Sequence, residues 1–177
     1  IATSCNGYFC WGLYYMIGAR QKYGSVQKAM NTWRDYMVSM GFGYQLGIDL
    51  PGEKRGMIPN AQYYDKAYRR SWNGLTIISI SIGQGEVTAT PLQIANLGAT
   101  IANRGYYYIP HVVKNIEDSP IDTLYSRKHY TMTDPKYYEY IVAGMRKAVE
   151  GGTCRKAYNP NYEVCGKTGT AQNRGHD

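Results

Sequence analysis

Apolar residues at Val26, Met30, Trp33 and Met37 repeat at the spacing of one face of an α-helix. Ser25 in front of them supplies an N-cap oxygen and Gly41 a stop, so a helix is expected over residues 26–40. A second stripe, Tyr138, Ile141, Val142, Met145 and Val149, lies between Asp134-Pro135 and Gly151-Gly152. It predicts a helix over 135–150 with Asp134 as its cap. Residues 7–17 are apolar and aromatic up to Gly18 and read as a third helix. In the fourth, Thr90 caps, Pro91 takes the first helical position, and Gly105 stops a run that reaches residue 103. Leu92, Ile94, Ala95, Leu97, Ala99, Ile101 and Ala102 surround that helix on nearly every side, so it is expected to be buried in the middle of the domain.

Between these helices the pattern breaks. Residues 42–60 carry Gly43, Gly47, Pro51, Gly52, Gly56 and Pro59 and read as a long loop of turns, followed by a short helix over 61–69 capped by Asn60. Residues 75–82 are apolar and end in Gly83-Gln84-Gly85, which is no dinucleotide fingerprint because Thr88 fills the third glycine position. Residues 106–116 and 128–132 read as two strands of a small antiparallel hairpin. Near the C-terminus, residues 162–172 pass from alternating, partly β-branched positions into a cation, hydroxyls and a glycine. That is the make-up of a strand edge suited to an extended, anionic ligand bound as an added strand, and a strand is expected over 163–171. The whole reads as a mostly helical α+β chain.

The 177 residues suffice for one domain, and 44% hydrophobic with 19% charged residues is a globular composition. No apolar run approaches the roughly 18 residues that cross a bilayer. The net charge of +7 would admit a nucleic-acid partner, but the cations are scattered in pairs such as Arg69-Arg70 and Arg155-Lys156, so none is expected. Cys5, Cys10, Cys154 and Cys165 show no Cys-x-x-Cys spacing, and neither a metal nor a cofactor is expected.

Two short motifs carry the candidate chemistry. Gly166-Lys167-Thr168 is not a phosphate loop, because the glycine that such a loop needs earlier is Asn161 here. Alone, Lys167-Thr168-Gly169 is an ordinary surface strand end, and Ser4-Cys5-Asn6 an ordinary helix cap. Between them lie Gly47-Ile48-Asp49-Leu50-Pro51-Gly52-Glu53 and a segment from Ser81-Ile82-Gly83-Gln84-Gly85-Glu86 to Thr90-Pro91-Leu92-Gln93. In this order, and with Thr170-Ala171-Gln172 following Gly169, the chain closely resembles the transpeptidase domain of the elongation-specific class B penicillin-binding proteins.

The resemblance implies acyl transfer from D-Ala-D-Ala stem peptides of peptidoglycan, with β-lactams as inhibitors. Ser4 would relay protons near the leaving amine and Asn6 would hold the substrate amide. Lys167 would bring positive charge beside the substrate carboxylate and hold the proton network, Thr168 and Thr170 would bond that carboxylate, and Gly169 would leave room for substrate. The backbone N–H of Thr170 would be one oxyanion donor. Ser25-Val26-Gln27-Lys28 also satisfies Ser-x-x-Lys, but it follows Ser4-Cys5-Asn6 where the family's nucleophile motif precedes it, so Ser25 is read as a cap. The nucleophile is therefore expected upstream of Ile1 and further strands after Gln172, which makes residues 1–177 part of a transpeptidase domain, inactive alone.

The implied location is the periplasmic face of a bacterial inner membrane, with a SEDS-type glycosyltransferase and an elongation scaffold as partners. An oxidising compartment would permit a disulfide between Cys154 and Cys165, which flank the turn-forming Asn159-Pro160-Asn161. An unpaired edge at 163–171 would allow two copies to pair by strands. A non-catalytic wall-binding or scaffold module is the alternative reading.

Overall fold

The computed structural model describes residues 1–117 and 119–169. In chain order they form α1 (Asn6–Gly18), α2 (Arg20–Tyr23), α3 (Val26–Ser39), α4 (Ala61–Ala67), α5 (Pro91–Ala102), β1 (Tyr106–Tyr107), α6 (Thr123–Ser126), β2 (His129–Tyr130) and α7 (Lys136–Glu150), with 3₁₀ turns at Ile78–Ile82 and Arg155–Ala157. The core joins Leu13 and Ile17 of α1, Ala29 and Met30 of α3, and Ala61 and Tyr64 of α4 to Trp72, Ile77 and Ile80. Helix α1 rests on the Ile78–Ile82 turn and on α3.

The caps expected at Ser25, Asn60 and Thr90 are in place, while Pro135 holds the cap position of α7, which starts at Lys136, without a side-chain cap bond. Ser25 Oγ accepts from the Lys28 N–H at 3.1 Å, and Asn60 Oδ1 from the Tyr63 N–H at 2.8 Å. Thr90 and Gln93 form a reciprocal capping box, and Asp134 Oδ1 accepts from the Lys136 N–H at 3.0 Å. The helix after Asn60 ends at Ala67, short of residue 69, because Arg69 and Arg70 both turn to positive φ.

Two carboxylates organise the long loop. Glu53 accepts the Leu46, Gly47 and Ile48 N–H groups at 2.6, 2.9 and 3.3 Å, gathering backbone donors that have no ladder to join. Asp49 accepts the Val112 and Val113 N–H groups at 2.9 and 2.8 Å, which fastens the loop to the segment after β1. Those backbone N–H groups, Val112 first, hold the Asp49 carboxyl below its ordinary pKa.

Four expectations are corrected. First, α5 is not buried all round: Gln93, Asn96 and Thr100 are buried while Ile94 is 59% exposed. The buried face meets backbone carbonyls at the end of α3 and in the loop, and these draw polar side chains. Gln93 Nε2 donates to the Tyr44 and Arg55 carbonyls at 3.0 and 2.9 Å, and Asn96 Nδ2 reaches the Met40 carbonyl at 3.4 Å. Second, the hairpin is antiparallel as expected, with Tyr106 opposite Tyr130 and Tyr107 opposite His129, but each strand has two residues. Asp49 takes the Val112 and Val113 N–H groups that a longer β1 would need. Third, residues 163–169 form no strand; the Val164 carbonyl and the Gly166 N–H bond to α7. Fourth, all four cysteines are free. A Cβ on Gly166 would lie 3.6 Å from the Cys154 sulfur, whereas Cys165 is exposed.

Candidate active site

The C-terminal turns of α7 collect both motif segments. A Cβ on Gly144 would lie 3.0 Å from Ile1 Cβ, and one on Gly152 only 2.3 Å from the Ala2 carbonyl oxygen, so these glycines let the start of the chain lie directly on the helix. The Thr153 N–H donates to the Ala2 carbonyl at 3.1 Å, and the Ser4 N–H closes a turn on the Ile1 carbonyl at 3.1 Å. Ser4 has φ +51°, a left-handed conformation uncommon for a residue with a side chain. It does not cap α1: Cys5 holds the cap position without a side-chain bond, and Asn6 is the first helical residue, exposed. The Ser4 hydroxyl is thus left for another partner.

That partner comes from the far end of the chain. The Gly166 N–H donates to the Met145 carbonyl at 3.2 Å, and Arg146 Nη1 donates to the Val164 carbonyl at 3.2 Å. With the segment held there, Lys167 Nζ donates to Ser4 Oγ at 2.8 Å, to the Thr168 carbonyl at 2.9 Å and to Thr168 Oγ1 at 3.1 Å. Thr168 Oγ1 in turn reaches Thr153 Oγ1 at 3.4 Å. All three ammonium protons are directed, and because Ser4 Oγ accepts one of them, its own proton is free to move toward a third group.

Gly169 lines a cavity of about 860 Å³ together with Gly83, Gln84, Gly85 and Thr88. Gly83 and Gly85 both adopt φ +71°, a left-handed conformation that favours glycine. The structure therefore brings Ser4, Lys167 and Thr168 into one hydrogen-bonded group, with Asn6 two residues beyond Ser4. Thr170, expected as carboxylate ligand and oxyanion donor, lies outside the described residues, as do Ala171 and Gln172. Ser25 spends its hydroxyl on the cap of α3 and joins no such group. Among the described residues no cluster of His, Cys, Asp or Glu could hold a metal ion, and no helix is long and apolar enough to cross a membrane.

Sequence reasoning did not single out Thr153 or Arg146, which belong to no motif. The one available signal was that Gly151-Gly152-Thr153 directly follows a helix whose stripe ends at Val149.

The sequence profile of the penicillin binding protein transpeptidase domain matches residues 1–177. The chain belongs to that family. Its α+β architecture agrees with solved transpeptidases. A structure reporting the coordination of polymerization and crosslinking by a peptidoglycan synthase complex superposes with a TM-score of 0.74 at 31% identity, covering 99% of this chain and 28% of the other. The penicillin-binding protein PBP2 of Helicobacter pylori, solved in complex with MreC, superposes at 0.59 with 27% identity over 83% of this chain and 24% of the other. The peptidoglycan D,D-transpeptidase MrdA of Acinetobacter baumannii is 35% identical over 176 residues, 97% of this chain and 24% of the relative. The chain thus spans about a quarter of the length of that curated relative.

Proposed function

We propose that the chain supplies two of the three catalytic segments of a serine D,D-transpeptidase that cross-links peptidoglycan during cell elongation. The observation that carries this reading is the 2.8 Å bond from Lys167 Nζ to Ser4 Oγ, made between residues at opposite ends of the chain and against a serine that caps nothing. A serine on a Ser-x-x-Lys segment outside this chain attacks the carbonyl carbon of the penultimate D-Ala. The tetrahedral oxyanion collapses, the C–N bond breaks, and the leaving D-Ala amine takes a proton passed through Ser4. An amine of a second stem peptide then attacks the acyl carbon, the ester bond to the serine breaks, and the serine oxygen takes back a proton from the amine as the cross-link forms.

In this scheme Asn6 holds the substrate amide. Lys167 and Thr168 face the terminal carboxylate, helped by Thr170, while Gly169 leaves the substrate backbone space along the segment. The Thr170 N–H serves the oxyanion, a contribution of about 3 kcal/mol in such sites. β-Lactams acylate the same serine. The periplasmic face of the inner membrane is the compartment where this substrate is found. A SEDS-type glycosyltransferase and an elongation scaffold are the partners, in line with the synthase and MreC complexes of the structural relatives.

Labelling with a fluorescent penicillin tests the reading. The full-length protein should form a stoichiometric penicilloyl adduct that peptide mapping places upstream of Ile1, while the 177-residue chain should not label. An adduct on Ser25 would transfer the active site to Ser25-Val26-Gln27-Lys28 and sink this assignment.

A further inference from the structure

Thr153, just beyond the end of α7, bonds to both motif segments. Its N–H donates to the Ala2 carbonyl at 3.1 Å, in the turn that carries Ser4, and its Oγ1 lies 3.5 Å from the same oxygen. On its other side Thr168 Oγ1 donates to Thr153 Oγ1 at 3.4 Å. The backbone that presents this hydroxyl is itself fixed. The Cys154 N–H donates to the Ala148 carbonyl at 2.8 Å, and Gly152 leaves no room for a Cβ against the Ala2 carbonyl.

The direction of the chain of hydroxyls follows from its two ends, because an ammonium can only donate and a carbonyl can only accept. Thr168 Oγ1 accepts from Lys167 Nζ at 3.1 Å, so its own proton turns away from the lysine and toward Thr153. The Thr153 proton then has the Ala2 carbonyl as its acceptor. Both contacts of Thr153 Oγ1 are longer than a tight O–H···O bond. Bonds in a free active site often are, and they tighten in the substrate complex.

A substrate carboxylate facing Thr168 takes the Thr168 proton for itself. A threonine hydroxyl has two acceptor positions, so Thr168 Oγ1 can keep its bond from Lys167 and accept a second proton. Thr153 can supply that proton by reversing its own hydroxyl. We propose that Thr153 is a positioning residue for carboxylate recognition: its hydroxyl holds Thr168 Oγ1 in place, accepting from it in the free enzyme and donating to it once the Thr168 proton turns to the carboxylate. It touches neither substrate nor the reacting atoms. The inference rests on the function proposed above and deepens it at the carboxylate end of the site.

The test uses the full-length enzyme and stopped-flow acylation by a fluorescent penicillin and by its methyl ester, which lacks the carboxylate charge. The dissociation constant is resolved from the saturating acylation rate constant, per labelled molecule. Thr153→Val keeps the shape and the backbone N–H but can neither accept nor donate through its side chain. It should raise the dissociation constant of the free acid by roughly 3- to 10-fold, with little change for the ester and little in the saturating rate constant. Thr153→Ser should restore the preference for the acid. In Thr168→Val the further change Thr153→Val should add nothing, because Thr153 acts through Thr168. Thr153→Ala removes the same hydroxyl and stands in if Thr153→Val does not fold. Equal losses for acid and ester, an unchanged preference for the acid, or folding only with serine at this position would mark a structural residue and overturn the proposal. Failure of the wild-type enzyme to label would instead overturn the function on which it rests.

Discussion

Replacing Gln93 by leucine tests whether the buried polar face of α5 holds the long loop in place. Gln93 is fully buried; it donates to the Tyr44 and Arg55 carbonyls at 3.0 and 2.9 Å and accepts the Thr90 N–H at 3.0 Å. Leucine fills similar space but leaves two carbonyls and one helix-cap N–H without these partners. Each neutral bond contributes about 1 kcal/mol net, so the three together should remove about 3 kcal/mol. That is a large share of the roughly 5–15 kcal/mol that holds a domain folded. At this chain length it should lower Tm by about 6–12 °C. Urea unfolding followed by far-UV circular dichroism reads the change directly. Gln93→Glu keeps the acceptor for Thr90 but sets a carboxylate against two carbonyls, and it should be at least as damaging. A loss below about 1 kcal/mol in Gln93→Leu would mean that the loop is held elsewhere, refuting the account of why α5 buries its polar side.

Three further outcomes follow from the geometry. The carboxyl of Asp49 is held below its ordinary pKa by the Val112 and Val113 N–H groups, so it contributes stability above its unfolded pKa of 3.8 that is lost as pH falls through the lower folded value. Asp49→Ala should therefore flatten the acid limb of the stability–pH curve, and an unchanged slope there would contradict the assignment. Gly152→Ala places a Cβ 2.3 Å from the Ala2 carbonyl and 2.8 Å from Ala148 Cα, both backbone atoms that cannot swing aside. It should destabilise by about 1–3 kcal/mol and slow acylation by displacing Ser4, whereas wild-type unfolding and labelling would refute the close packing. Residues 163–169 leave backbone groups without a ladder, so sedimentation velocity of this 177-residue chain should show concentration-dependent pairing; a monomer at every concentration would dispose of strand-mediated self-association.

The parts of the fold legible in the sequence were those set by local chemistry. Ser25, Asn60, Thr90 with Gln93, and Asp134 each announce a helix start through a side-chain oxygen, and each supplies that oxygen in the structure. What depended on distant partners was not legible. The composition of α5 suggested burial on all sides, but the carbonyls of Met40 at the end of α3 and of Tyr44 and Arg55 in the loop take its polar side chains. Alternation at 162–172 suggested a strand, but strand formation needs a neighbour, and α7 took the backbone bonds at Val164 and Gly166. The turn between Cys154 and Cys165 suggested a bridge, but which side of the segment faces α7 is decided by Gly166. At the site, order along the chain and family resemblance named Ser4, Lys167 and Thr168. Gly144 on α7 and Gly152 just beyond it let the start of the chain approach, and Arg146 bonds the Val164 carbonyl; none of the three belongs to a motif.

The central claim is that Ser4 and Lys167 work as one unit in acyl transfer, and a double-mutant cycle on the full-length enzyme tests it most directly. Acylation rate constants at saturating penicillin would be measured for wild type, Ser4→Ala, Lys167→Ala and the double variant. Because the 2.8 Å bond joins the two groups in one proton path, removing either should forfeit most of what removing both does, and the double variant should be little slower than the slower single one. Losses that simply multiply, with no coupling between the two positions, would contradict the account.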